Sequence, residues 1–194
     1  MHKANKGLRT TISKIKNDLR KIEEKILTQP NDKVLNNVEI AVLALEDHRF
    51  FTHSGIDIYS VAREIVRTVL RRPHGGASTI EMQFVRTVTG YKERTLKRKM
   101  YEMLLALITK RRYQKLIILR SYLTYAYFGS HAIGIEQASS IIFGKASREL
   151  SWEEAFYIAS ALVYPRPLHP SPVWNAKILR RAKYGEKIVK KLHY

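Results

Sequence analysis

Apolar residues recur in steps of three and four along most of this 194-residue chain, which restricts it to a fold built from helices. Leu8, Ile12, Ile15, Leu19, Ile22 and Ile26 alternate steps of four and three, a narrow seam on an otherwise charged helix. Val38, Val42 and Leu45 share one face of the run VEIAVLAL. Val61, Ile65, Val66, Val69 and Leu70 mark a further helix, striped on another face by Arg63, Arg67 and Arg71, until Pro73-His74-Gly75-Gly76 breaks it. Leu96, Met100, Leu104 and Leu107 are apolar positions of the next. Residues 116–144 read as two apolar helices, with Gly129 and Gly144 in helix-ending positions. Ser151-Trp152-Glu153-Glu154 is a capping box opening a helix that carries Ala155, Ile158, Ala159 and Leu162. Four of the six prolines fall between 165 and 172, so that segment is extended and stiff, and a strongly basic helix follows from about Trp174. No segment reads as a strand. The expected fold class is mainly α.

Hydrophobic residues make up 45% of the chain and charged residues 27%, the balance of one globular domain with a tail. Residues 1–30 divide off as a basic amphipathic helix and a linker, Gln29-Pro30-Asn31-Asp32, leaving 31–194 as the main domain. The absence of cysteine excludes disulfides and thiolate metal sites. A net charge of +18 requires an anionic partner: nucleic acid, acidic membrane lipid or a phosphorylated substrate. No apolar run reaches the ~18 residues that would cross a bilayer as a helix. The N-terminus lacks the apolar core of a secretory signal. Three uses compete for the seam over residues 8–26: a coiled coil, a helix docked on the domain, and a basic helix lying on a membrane.

Three short stretches carry residue types suited to chemistry. LALEDHRFFTHSG, residues 43–55, ends an apolar helix at Glu46-Asp47 and dissolves into a polar loop closed by Gly55, an arrangement that suits a cleft-lining acid or base. Solvated charges at a helix end are the plainer alternative. GGASTIEMQFVR, residues 75–86, holds the capping box Ser78-Thr79-Ile80-Glu81, which is enough to start a helix without any further role. Arg98, Lys99 and Glu102 share one face of a helix, either as an intrahelical ion pair worth only about 0.3–0.5 kcal/mol or as a cation pair and carboxylate facing a diphosphate.

Together these stretches resemble the ordered motifs of glycosyltransferase family 51, the peptidoglycan glycosyltransferases that polymerise lipid II. Glu46, Asp47, Phe50, His53 and Gly55 match the first motif, with Asp57 and Arg63 also in family positions. Gly76, Ser78, Thr79, Ile80 and Gln83 match the second, where Glu81 and Met82 depart from the usual Thr and Gln. Arg98, Lys99 and Glu102 match the third without a gap. Ile118, Leu119, Tyr122, Leu123, Tyr127, Phe128 and Gly129 match the fourth, where Thr124 replaces asparagine; most of that region reads as core. Glu154 aligns with a glutamate of the fifth, and its capping role already explains it.

The resemblance implies a lysozyme-like helical lobe joined to a smaller, mobile, membrane-proximal lobe. It implies that the 4-hydroxyl of one lipid-linked disaccharide attacks the anomeric carbon of a growing glycan, with inversion and loss of undecaprenyl diphosphate. Glu46 would be the base and Glu102 the second catalytic carboxylate, facing the same cleft. Asp47, Phe50, His53, Arg63, Ser78, Thr79, Gln83, Arg86, Arg98 and Lys99 would bind substrate. A divalent cation, magnesium or manganese, held by Glu102 is a candidate assistant, and no organic cofactor is called for. The implied partners are lipid II, the growing strand, an acidic membrane surface and other cell-wall synthesis proteins. The implied place is the outer, periplasmic face of a bacterial cell membrane, reached as a peripheral protein or through an anchor that this chain does not carry. A nucleic-acid-binding protein would explain the charge but not the acidic centre or the motif order. The rivals that remain are a non-catalytic relative binding precursor or glycan as a scaffold, favoured by positions 81, 82 and 124, and a lysozyme-like hydrolase.

Overall fold

The computed structural model describes residues 2–26, 34–71, 76–93 and 95–192, and side chains between residues 9 and 191. The linker expected at 29–32, the breaker at 73–75 and the side chain of Leu8 lie outside the described residues. Nine α-helices are described: α1 His2–Lys25, α2 Asn37–Glu46, α3 Ile58–Val69, α4 Ile80–Thr89, α5 Leu96–Arg112, α6 Lys115–Tyr125, α7 Ile135–Phe143, α8 Trp152–Ser160 and α9 Pro172–Leu192. The mainly α expectation holds. One detail is corrected: the run 116–144 is not two uninterrupted helices, because Tyr127–Gly129 (β1) pairs antiparallel with Ala132–Ile133 (β2). Gly129 therefore does not end a helix. At φ +138 it sits where an added Cβ would lie 2.2 Å from the Arg166 carbonyl oxygen, so the proline-rich segment presses against the hairpin here because no side chain intervenes. Gly144 does cap α7, at φ +66.

The core forms where α2 packs on α8 and α9, and where α4 lies against α5 and α6. In α2, Val38, Ala41, Val42, Leu43 and Ala44 are buried, and a reciprocal Asn36–Glu39 capping box starts the helix. The box expected at Ser151–Glu154 starts α8 in the same way. At α4 the cap lies one residue later than expected. Thr79, not Ser78, accepts the Met82 N–H, and Glu81 turns inward instead of reaching back.

The seam of α1 is occupied within the chain. The helix lies across α4 and α5, with Ile22 buried and Ile15, Leu19 and Ile26 packed on the core, while Ile12 stays exposed. In α5 the apolar face points outward: Leu96, Met100, Leu104 and Leu107 are exposed, and Glu102, Leu105, Ala106 and Thr109 form the buried face. α3 stands apart, with only Ser60 buried along its length and Ile58, Tyr59, Ile65, Val66, Val69 and Leu70 exposed. α9 comes closest to α8 and α2 at Gly185, where a Cβ would sit 2.6 Å from the Phe156 ring and 3.0 Å from a Leu45 methyl.

Candidate active site

Two adjoining cavities, of about 670 and 810 Å³, share Ser78 and Arg86 and together form one cleft. Glu46 stands at one end. As the last residue of α2 its side chain is 10% exposed, and its two oxygens have different partners. Arg181 of α9 reaches Oε1 at 2.7 Å, and Gln83 Nε2 of α4 donates to Oε2 at 3.2 Å. The Tyr122 hydroxyl donates to Gln83 Oε1 at 2.7 Å, which fixes the amide with its nitrogen toward Glu46. Burial, followed by the neighbouring Glu46 charge, raises the Tyr122 pKa, so the hydroxyl stays a donor.

Asp47, the next residue, holds the loop together. Its carboxylate accepts the Ile80 N–H at 3.0 Å, at the positive end of α4, and both its oxygens lie 3.0 Å from His53 Nε2. His53 Nδ1 accepts from the Gly55 N–H at 3.2 Å, so the ring proton sits on Nε2 and points at Asp47. The Thr79 hydroxyl donates to the Gly55 carbonyl at 2.7 Å. Gly55, at φ +101, packs so closely on α5 that a Cβ would lie 2.9 Å from the Ala106 carbonyl oxygen. The loop after Glu46 is thus tied to the starts of both α3 and α4. Asp57 caps α3 by accepting from the Tyr59 N–H and the Ser60 hydroxyl, with Arg49 3.5 Å away. Burial raises its pKa, but the bonds from Ser60 and the Arg49 charge outweigh burial and hold it below the usual carboxylate value of 3.8.

The other end of the cleft is cationic. Arg86, Lys92, Arg98 and Lys99 line it with Ser78, Tyr91, Thr95 and Leu96. Glu102 lies beneath and lines neither cavity; its side chain is fully buried. Arg86 grips it with Nε and Nη2, each at 3.1 Å, and Arg98 Nη1 stands 3.5 Å from Oε1. Arg86 Nη2 also reaches the Ser78 hydroxyl at 3.5 Å. The Nε atoms of Arg98 and Arg181 are buried with no acceptor among the described residues.

The expected site residues therefore separate into three groups. Glu46, Asp47, Arg63, Ser78, Thr79, Gln83, Arg86, Arg98 and Lys99 line the cleft. Phe50 and His53, expected as substrate contacts, do not: Phe50 is fully buried and the His53 side chain is turned to Asp47. Glu102, expected to face the cleft opposite Glu46, is sealed under its floor because both oxygens are bound by arginines. Arg181, Lys92 and Tyr184 also line the cleft and were not singled out by sequence; Arg181 showed there only as one of many basic residues on its helix.

Neither acidic group fits a divalent cation. The arginines already satisfy Glu102. Asp47, His53 and Glu81 bring ligand atoms within 4.8 Å of one another, but Lys115 fills that cluster. Its ammonium lies 2.5 Å from Glu81 Oε1, 3.3 Å from His53 Nδ1 and 4.3 Å from the Phe50 ring centroid, leaving Glu81 Oε2 without a hydrogen-bond partner among the described residues. Burial lowers the Lys115 pKa, and the Glu81 charge offsets part of that.

Comparison with known proteins fits this geometry. The family profile described as Transglycosylase matches residues 11–190. The chain belongs to the transglycosylase family. Penicillin-binding protein 1A of Aquifex aeolicus is 39% identical over 140 residues, 72% of this chain and 19% of that protein. Penicillin-binding protein 1A of Clostridium tetani is 34% identical over 155 residues, 77% of this chain and again 19% of the relative. A Cupriavidus necator protein described as a transglycosylase is 34% identical over 152 residues, 78% of this chain and 65% of its own length. This transglycosylase chain thus spans about a fifth of the two penicillin-binding proteins and 65% of the third relative.

Proposed function

We propose that this transglycosylase domain is a peptidoglycan glycosyltransferase that polymerises lipid II, with Glu46 as base and the Arg86–Lys92–Arg98–Lys99 chamber as the diphosphate site. The observation that carries the reading is one continuous cleft in which Glu46 lines one chamber and Arg86, Lys92, Arg98 and Lys99 line the adjoining one, which no carboxylate of the described residues lines. Glu46 takes the proton of the acceptor 4-hydroxyl as that oxygen bonds to the anomeric carbon. The bond from that carbon to the diphosphate oxygen breaks, and its electron pair leaves with undecaprenyl diphosphate. Attack and departure on opposite faces invert the centre. A positioned base contributes roughly 10²–10⁴-fold. The leaving group needs positive charge rather than a proton, and preorganised guanidinium and ammonium groups provide it without reorganisation.

The departures from the family pattern support activity rather than a scaffold. Glu81 and Met82 are fully buried, and the Thr124 hydroxyl bonds back to the Arg120 carbonyl; none of the three lines the cleft. The substrate's isoprenoid tail stays in the bilayer, so the domain must work at a membrane surface. The exposed apolar faces of α3 and α5, with Arg63 and Arg67 beside them, suit that surface. Among the described residues no helix is long and apolar enough to cross a membrane. We place the domain on the periplasmic face of the cell membrane. Incubation with labelled lipid II tests the reading: polymer with release of undecaprenyl diphosphate supports it, while bound but unreacted lipid II or cleaved glycan overturns it.

A further inference from the structure

The buried face of α1 carries a carboxylate where packing alone needs only apolar groups. Asp18 is 1% exposed, and its Oδ2 accepts hydrogen bonds from two tyrosine hydroxyls, Tyr91 at 2.5 Å and Tyr101 at 2.9 Å. Lys21 pairs with the other oxygen at 3.4 Å. Lys14 Nζ lies over both rings, 4.6 Å from the centroid of Tyr91 and 5.1 Å from that of Tyr101. The rings meet edge to face at 5.8 Å. Burial and the Asp18 carboxylate push the Tyr91 hydroxyl up to about 12 and raise Tyr101 as well, so both remain donors at neutral pH. A charge so placed costs desolvation that the neighbouring Ile15, Leu19 and Ile22 do not incur.

What it holds is part of the cleft. Tyr91 lines the cationic chamber with Lys92, Arg98 and Lys99, and Tyr101 follows Arg98 and Lys99 on α5 within one turn. We propose that Asp18 is a positioning residue for the diphosphate chamber. Through Tyr91 and Tyr101 it locks the connection between α4 and α5 to the first turns of α5, and so sets how Lys92, Arg98 and Lys99 converge on a diphosphate. The proposal rests on the reading of that cavity as the diphosphate site. It makes α1 a wall of the cleft at one remove, not a detachable tail.

The test compares the full chain with Asp18→Leu, Asp18→Asn and Tyr91→Phe. It uses initial rates of lipid II polymerisation in detergent micelles and calorimetric binding of inorganic pyrophosphate. Asp18→Leu raises KM about fivefold and lowers kcat about fivefold, because the chamber's cations bind the diphosphate in the ground state and stabilise the charge it gains on leaving. It weakens pyrophosphate binding by a similar factor. Asp18→Asn keeps an acceptor oxygen and returns both values to within about twofold of the parent. Tyr91→Phe removes one hydroxyl and no ring, and raises KM about threefold. Should Asp18→Leu fail to fold, Tyr91→Phe decides. An Asp18→Leu chain that melts earlier but keeps its KM and its pyrophosphate affinity overturns the proposal and leaves Asp18 a docking residue. A parent chain that binds pyrophosphate in an Asp18-dependent way yet makes no polymer sinks the reading of the cleft as a polymerase and leaves this proposal standing.

Discussion

Glu46 and Glu102 come from two matching motifs, yet the fold surrounds them in opposite ways. Glu46 lines the cleft with one oxygen on a neutral amide and one on an arginine. Each carboxylate oxygen can accept two hydrogen bonds, so acceptor capacity is left for a substrate hydroxyl. Glu102 lies beneath the floor with its oxygens turned to Arg86 and Arg98, and has no surface to offer a substrate. The first carboxylate can take a proton. The second holds two cations in place from under the floor of the cleft, where we propose that the diphosphate leaves. Burial and partners, not residue type or motif membership, separate the two roles.

Substitutions at the two ends should break that contrast to different degrees. Glu46→Gln keeps the shape and one of the two hydrogen bonds, since with an NH2 in place of one oxygen it cannot accept from both Arg181 and Gln83. It also cannot take the proton, so kcat in a lipid II polymerisation assay falls about 100-fold or more while KM changes far less. A Glu46→Gln chain keeping more than about a tenth of parental kcat removes the base from the mechanism. Glu102→Gln leaves two arginines without a full counter-charge, so KM rises about tenfold and the melting temperature drops, with kcat changed far less than at Glu46. If Glu102→Gln instead matched Glu46→Gln in kcat alone, the contrast would collapse. Arg181→Met leaves Glu46 held only by Gln83, and lowers kcat several-fold, about fivefold, with little effect on KM. Asp57, a third carboxylate on the cleft wall, sharpens the comparison through stability. Its folded pKa lies below its unfolded value, so the native state binds fewer protons between the two, and the stabilisation present above that unfolded value fades as pH falls through the folded pKa. Melting curves below about pH 4 should therefore fall more steeply for the parent than for Asp57→Asn.

Helix count and order were legible because apolar spacing is a local property, and so was the capping box that starts α8, α2's neighbour, and fixes its register. The hairpin at 127–133 was not, because its strands are three and two residues long and depend on a glycine pressed against Arg166. The shift of the α4 cap from Ser78 to Thr79 was equally hidden, since the contact that settles it comes from Gly55, distant in sequence. In α5 the pattern of leucines was correctly seen, but only the fold shows that they face outward and a glutamate inward. The cleft residues with motif spacing were found from sequence. Arg181 was missed because its meaning lies entirely in a partner 135 positions away.

The close approach at Gly185 has a consequence for how the protein is made. A glycine inside a helix costs about 1 kcal/mol relative to alanine. Here it lets α9 settle against Phe156 and Leu45, one turn beyond the arginine that reaches Glu46. A chain still being synthesised, or cut short before residue 181, carries α2 with its terminal glutamate lacking that ion-pair partner. Completion of the Glu46 end of the cleft is therefore a late event, a closure over 135 residues of sequence that follows local helix formation. Until its basic tail has docked, the growing polypeptide leaves the Glu46 carboxylate to Gln83 alone.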